Sequence, residues 1–110
     1  MTQSDFIKCM QVLDDLCNDI TTAKRSEYIE SSPDVLANFY FIANEMNLST
    51  YQVLYVYLRK HFSSIATFCR TNEANSEPIE RRIADAINFL RLLYALIEDR
   101  KQFIAQNANP

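Results

Sequence analysis

Apolar residues recur at spacings of three and four along most of this 110-residue chain. Such spacing keeps one apolar stripe on one side of an α-helix. The pattern predicts four helices, at about residues 4–21, 33–47, 50–70 and 77–105. The fourth has the longest stripe, and we expect the following residues of it to face the core: Ile79, Ile83, Ala86, Ile87, Leu90, Leu93, Tyr94 and Ile97. The sequence therefore predicts a single all-α domain, residues 1–110, with a four-helix bundle-like fold.

Residues with helix-capping chemistry precede three of the predicted helices. Ser32 is followed by Pro33, which is tolerated in a first helical turn, so the second helix is expected to begin there. Ser49 and Gln52 form the S-x-x-Q capping box of the third helix. Ser76 is expected to cap the fourth helix. The short connection before Ser49 predicts that the second and third helices pack as neighbours.

Composition excludes several functional classes. The chain has no glycine, so it has neither a phosphate loop nor a dinucleotide fingerprint, both of which need glycine where the backbone approaches phosphate. A net charge of −3 argues against general nucleic-acid binding. We expect no membrane span and no secretion signal, and hence a cytoplasmic protein. Cys9, Cys17 and Cys69 lack the paired spacing of a zinc or redox site, so we expect all three to be ordinary buried thiols.

Polar residues at helical spacing mark a candidate site. Arg82, Asp85 and Asn88 are spaced three residues apart, so they follow one another along the border of the apolar stripe. On the third helix, His61 lies on the apolar stripe beside the cation Lys60. A lone histidine there is also consistent with a hydrogen-bonded core residue.

The preceding segments add further candidates. Asn38 is a poor helix former in mid-helix, which is consistent with a ligand contact or with a buried amide that bonds a neighbouring helix. The segment from Thr22 to Pro33 loses the helical period, and within this predicted connection Lys24 and Tyr28 are candidates for a binding lip or a plain connector. The excess of tyrosine on the third helix indicates a subunit interface.

These residues together resemble a known family. The pattern is Asp34-x-x-x-Asn38-Phe39, then Lys60-His61, then Glu77-Pro78, then Arg82-Ile83-x-Asp85-x-x-Asn88-Phe89, with Lys24 and Tyr28 before it. It resembles the small all-α phage and prophage proteins called nucleotide-modification-associated domains, distant relatives of MazG-like and dimeric dUTPase-type pyrophosphatases. The resemblance covers about residues 24–97.

The resemblance implies a helical homo-oligomer with polar residues around a nucleotide-sized crevice. The active pyrophosphatases of that wider group use Glu-x-x-Glu and Glu-x-x-Asp pairs to hold Mg²⁺ against a triphosphate. This chain departs from that pattern, because its second helix has no Glu-x-x-Glu and its fourth helix keeps only Asp85. Asp34, Glu45 and Asp85 are the remaining candidate metal ligands. We therefore expect no cofactor unless the chain is a pyrophosphatase.

Three functional hypotheses follow. The first is a phage-type nucleotide-binding protein without strong catalysis, which sequesters a nucleotide or signal molecule, for example as a host-defence inhibitor. Its expected ligand-binding residues are Lys24, Tyr28, Asn38, Lys60, His61, Arg82, Asp85 and Asn88. The second is a Mg²⁺-dependent nucleotide pyrophosphatase. The third is a protein-interaction module, an inhibitor or regulator that binds a host protein, in which the Arg82 and Asp85 charges form a helix-surface ion pair.

Overall fold

Four helices make up the structure: α1 (Gln3–Tyr28), α2 (Ala37–Met46), α3 (Thr50–Thr71) and α4 (Ile79–Asn107). The computed structural model of the chain describes residues 1–28, 34–74 and 77–107, with the backbone alone for residues 22–28 and 107. Within these ranges there is no β-strand. The predicted all-α fold class is therefore confirmed.

Helix α1 continues seven residues beyond its predicted end at about Thr21. The prediction of a connection from Thr22 onward is wrong for residues 22–28, which are helical. Four of these seven residues, Ala23, Lys24, Arg25 and Glu27, are good helix formers, although the segment has no apolar period. The lost period therefore did not mark the end of the helix. Residues 29–33 lie outside the described part of the chain.

Helix α2 begins at Ala37, later than predicted, after a turn organised by Asp34. The Asp34 Oδ1 atom accepts a hydrogen bond from the Leu36 amide at 2.9 Å, and the Asp34 carbonyl accepts one from the Ala37 amide at 3.2 Å. A short acidic side chain competes in this way for backbone donors and favours a turn over a helix. The predicted start at Ser32 and Pro33 lies outside the described residues.

The ends of α2 and α3 follow the chemistry of the sequence closely. The predicted capping box is confirmed, because the Ser49 side chain accepts from the Gln52 amide and the Gln52 side chain accepts from the Ser49 amide. Asn47 and Asn72 end α2 and α3 in the left-handed conformation, with φ of 56° and 60°. Asparagine is the residue that best replaces glycine there, and this chain has no glycine. The predicted Ser76 cap lies outside the described residues.

Helix α4 is the central element, with α1 and α3 packed on different sides of it. On one side, Cys17 and Ile20 of α1 are buried against Ala84. On the other, α3 runs antiparallel to α4, since His61 lies near Asp85 and Tyr51 lies near Arg100. These two junctions hold α4 from both sides.

Helix α2 packs on α3 as its predicted neighbour and also reaches α4. The residues Leu36, Phe39 and Ala43 of α2 form a core cluster with Val53 and Leu54 of α3, and with Leu96 of α4. In the described part of the chain, α1 packs on α4 and makes no comparable contact with α2 or α3. The core is therefore divided into two clusters on either side of α4.

The apolar stripe predicted to be the core side of α4 is only partly buried. Ala86 is buried, but Ile83, Leu90 and Tyr94 are 36%, 46% and 68% exposed. The prediction that these three residues face the core is wrong, because α1 and α3 cover two other sides of the helix. We call Ile83, Ala86, Leu90, Tyr94 and Ile97 the α4 outer face.

The overall shape is elongated. The radius of gyration is 16.8 Å, with principal extents of 56 × 31 × 27 Å. A compact chain of this length has a radius of gyration of about 13 Å. The long helices α1 and α4, of 26 and 29 residues, therefore give an extended molecule with much exposed apolar surface. No helix in the described ranges has the length and hydropathy needed to cross a membrane.

Candidate functional site

His61 and Asp85 meet in the interface between α3 and α4. The His61 Nδ1 atom lies 3.9 Å from Asp85 Oδ2, and the two residues are only 8% and 6% exposed. Each is on a buried stripe: Leu54 and Leu58 precede His61, and Leu96 follows Asp85 by three turns. A pair of ionisable groups therefore lies inside an otherwise apolar helix interface. Burial of this kind is costly for a carboxylate unless it has polar neighbours.

Aromatic rings surround this pair. The His61 ring stacks on Phe89 with a centroid distance of 5.2 Å and an interplanar angle of 29°. The Tyr57 ring stacks on the Phe89 ring with a centroid distance of 5.8 Å and an interplanar angle of 6°. Phe39 of α2 contacts the Tyr57 and Phe89 rings edge-on. Tyr57 is 39% exposed, so the aromatic cluster extends from the buried His61 to the surface.

Cationic side chains lie beside the pair in sequence. Arg82 is one helical turn before Asp85, its side chain is 14% exposed, and its Nε atom lies 3.7 Å from Glu77 Oε2. Lys60 immediately precedes His61 and is exposed on α3. The pair therefore has one largely buried cation, Arg82, and one exposed cation, Lys60, close to it in sequence. We call His61, Asp85, Arg82, Tyr57 and Phe89 the α3–α4 site.

Asn88 does not join this site in the way that its spacing predicted. Its amide donates a hydrogen bond to the Cys17 carbonyl oxygen on α1, at 3.0 Å. Its own oxygen accepts a hydrogen bond from Arg91 Nη1 at 3.4 Å. The side chain of Asn88 therefore joins α4 to α1, on the side of α4 away from the α3 contact.

The other predicted ligand residues are spread over the molecule. Asn38 is exposed on α2, so the expectation of a buried amide there is wrong. Lys24 and Tyr28 belong to the last turns of α1, and their side chains lie outside the described part of the structure. Of the eight predicted residues, the structure brings together His61 and Asp85, with Arg82 one turn away.

The three candidate metal ligands do not form a group. Asp34 and Glu45 are exposed on the α2 segment, whereas Asp85 is buried on α4. In residues 1–28, 34–74 and 77–107, no group of three or more histidine, cysteine, aspartate or glutamate side chains is placed to hold a metal ion. The carboxylate geometry that Mg²⁺ requires is therefore not found in this described part.

A second polar contact joins α2 to α4 far from this site. The Tyr40 hydroxyl donates a hydrogen bond to Asp99 Oδ2 at 2.6 Å. Burial, and then this bond and the charge of Asp99, raise the pKa of Tyr40 to about 12. Arg100 and Phe103 line a cavity of about 210 Å³ beside them, which is smaller than the roughly 300 Å³ or more of ligand pockets. We interpret this contact as structural.

The ring contacts of Tyr57 and Phe89 beside His61 are not predicted by the sequence. The excess of tyrosine on α3 indicates a subunit interface instead, and Phe89 is only part of the family pattern. A signal was present, because Tyr57 lies four residues before His61 and Phe89 four residues after Asp85. At that spacing side chains share a helix face.

The chain matches no protein-family model, no curated protein and no solved structure.

Proposed function

We propose that this protein binds a nucleotide or a nucleotide-derived small molecule at the α3–α4 site. The observation that carries the proposal is the buried contact between His61 and Asp85, which lies beside an aromatic cluster that reaches the surface at Tyr57. Polar groups buried between two helices cost stability, and such groups are typical of binding sites. The neighbouring cations and rings match the two parts of a nucleotide.

In this proposal, the cations Arg82 and Lys60 bind the phosphate groups of the nucleotide. Arginine and lysine bind phosphate oxygens with charge-assisted hydrogen bonds, and arginine does so with two parallel donors. The Arg82 side chain is largely buried, and its Nε atom lies 3.7 Å from Glu77 Oε2, a contact that a bound phosphate would replace. Lys60 is exposed on the adjoining helix. In this proposal its ammonium group binds the same phosphate as Arg82.

The base of the nucleotide would stack on the aromatic cluster, at Tyr57. Stacking of a base on an aromatic side chain contributes about 1–3 kcal/mol and tolerates different bases. Tyr57 offers the exposed part of the cluster, with its ring orientation fixed by Phe89 and Phe39. In this proposal Asp85 and His61 supply hydrogen bonds to the sugar or the base edge.

Sequestration of the ligand is the biological role that this proposal favours over hydrolysis. The proposed contacts bind phosphate and base, and they assign no nucleophile or metal to the reacting phosphorus. The resemblance to phage proteins adds a setting in which sequestration of a nucleotide signal would inhibit a host defence.

The test is a titration with a panel of nucleoside mono-, di- and triphosphates and cyclic dinucleotides, measured by calorimetry. The wild type should bind at least one of them, and the variant Lys60→Ala with Arg82→Ala should lose affinity by more than tenfold. The matched control is Arg59→Ala with Arg81→Ala, which removes the same charge from adjacent exposed positions. Equal losses in both variants, or no binding by the wild type, would contradict the proposal. Circular dichroism and molar mass should be unchanged in both variants.

A protein-interaction module is the second candidate. It is favoured by the exposed apolar residues of α3 and α4, such as Tyr55 at 56% and Tyr94 at 68% exposure. Apolar patches of this kind mark interaction sites in soluble proteins. If the wild type binds no nucleotide in the titration, this candidate takes precedence.

A further inference from the structure

The α4 outer face is apolar, and none of the four helices packs over it in the part of the chain that the structure describes. Ile83, Leu90 and Tyr94 are exposed there, and Ala86 between them is buried. Tyr55 and Phe62 of α3, two helical turns apart, are 56% and 39% exposed. They form a stripe with Tyr51, whose ring lies 5.8 Å from the Arg100 guanidinium of α4. The α3 stripe therefore adjoins the α4 outer face.

We infer that this combined face binds a second copy of the chain, with the two α4 helices antiparallel about a two-fold axis at Leu90. In such an arrangement, a residue of one copy contacts a residue of the other copy when their two residue numbers add up to about 180. Leu90 then meets its own copy, and Ile83 meets Ile97. The small Ala86 lies opposite the large Tyr94, so the surface is complementary in shape to itself. Self-complementarity is what a two-fold interface requires.

Charges at the ends of the face agree with the same register. Glu80 and Lys101 have numbers that sum to 181, so each glutamate lies near the lysine of the other copy, and the pair occurs twice. Lys101 is 67% exposed and contacts Glu98 of its own helix at 3.1 Å, an exposed pair that contributes little and leaves it able to reach a new partner. Between these charges, the α4 outer face has no charged side chain.

The area is sufficient for a stable association. From Ile79 to Lys101 the helix extends about 33 Å at a rise of 1.5 Å per residue. With α3 beside α4, the face is about 20 Å wide, since each helix with side chains is about 10 Å across. This gives roughly 660 Å² per copy and about 1,300 Å² in total, within the range of stable interfaces.

The first experiment compares molar mass by light scattering over a range of concentrations. The wild type should have twice the chain mass of 12.8 kDa. Leu90→Glu should be a folded monomer, because it brings two like charges together at the axis. Val56→Glu is the matched control: Val56 is 64% exposed on α3, on a different side from the Tyr55 and Phe62 stripe, and the variant should stay dimeric. Circular dichroism reports whether each variant is helical.

The second experiment tests the register. Glu80→Lys should weaken the dimer, and Glu80→Lys combined with Lys101→Glu should restore it. With Cys9 and Cys69 replaced by serine, Leu90→Cys should form a disulfide with its own copy under oxidation.

A monomeric wild type overturns the inference and leaves the face to a different protein. A dimer that is insensitive to Leu90→Glu overturns this interface. The inference is independent of the proposed function, since none of the residues exchanged here belongs to the α3–α4 site.

Discussion

The side-chain amide of Asn88 donates a hydrogen bond to the main-chain carbonyl oxygen of Cys17, 3.0 Å away on another helix. The same asparagine accepts from Arg91, which also donates to Asn18 Oδ1 at 3.1 Å. Both hydrogen-bonding ends of the Asn88 side chain are therefore engaged at the junction of α1 and α4. This geometry makes Asn88 a structural residue, although its spacing from Asp85 had indicated a ligand contact.

Asn88→Ala should lower the free energy of unfolding by about 1 kcal/mol, the typical net contribution of one hydrogen bond. Urea unfolding followed by circular dichroism measures it. Asn38→Ala is the matched control, because Asn38 is an exposed amide on α2. Like most surface substitutions, it should change the free energy of unfolding by less than about 0.5 kcal/mol. Nucleotide affinity should be unchanged in folded Asn88→Ala. Lost affinity with unchanged stability would return Asn88 to the binding site.

Tyr57→Ala should weaken nucleotide binding by roughly tenfold or more, since stacking of one base contributes about 1–3 kcal/mol. Tyr57→Phe keeps the ring that stacks on Phe89 and should bind close to the wild-type affinity. Calorimetric titration with the tightest ligand of the panel gives both values. If the phenylalanine variant is as weak as the alanine variant, the hydroxyl and not the ring makes the contact.

The buried polar pair shows where sequence periodicity was informative and where it was not. The pattern placed His61 on the apolar stripe of α3, and the structure buries it there. It placed Asp85 at the border of a stripe, whereas the structure buries it at the centre of the α3 contact. An apolar period is read from apolar residues only, so a buried aspartate does not contribute to it. Periodicity alone therefore predicts that the neighbouring stripe of Ile83 and Leu90 is the buried one. Only the packing of α3 decides which stripe of α4 is covered.

Local chemistry predicted the helix ends better than apolar spacing did. The capping box at Ser49 and Gln52 gave the start of α3 within one residue, because both of its hydrogen bonds are local. Loss of the apolar period at Thr22 predicts a wrong end for α1, because a helix can continue through good helix formers that lack an apolar period. The start of α2 was also misplaced, because Asp34 forms a turn that competes with the helix.

The three cysteines should react at two different rates. Cys17 is fully buried against Ala84, whereas Cys9 and Cys69 lie on solvent-exposed sides of α1 and α3. The expectation of three buried thiols is therefore wrong for Cys9 and Cys69. Burial raises the pKa of the Cys17 thiol, which lowers the thiolate fraction at a given pH. Iodoacetamide at pH 8, followed by mass spectrometry, should therefore modify two thiols quickly and Cys17 at least roughly tenfold more slowly.

Two controls identify the slow thiol. Cys17→Ala should remove the slow phase, and all three thiols should react at similar rates in denaturant. Since Cys17 lies between α1 and α4, its rate reports how often α1 separates from α4. One uniform fast phase in the native protein would mean that α1 is not packed on α4.

The hydrogen bond from Tyr40 to Asp99 predicts a loss of stability at high pH. Burial, the bond and the Asp99 charge raise the pKa of Tyr40 to about 12, whereas an unfolded tyrosine has a pKa of about 10. Below pH 10 the phenol is neutral in both states, so its contribution is fully present. Between pH 10 and 12 the unfolded chain loses this proton first, so unfolding becomes more favourable as the pH rises.

The free energies of urea unfolding of the wild type and of Tyr40→Phe should therefore differ most at pH 8 and converge toward pH 12. Comparison with Tyr40→Phe cancels the titration of the other five tyrosines. Asp99→Asn removes the acceptor charge and should make the pH dependence shallower. A constant difference between wild type and Tyr40→Phe over this range would show that the phenol is not held neutral by the fold.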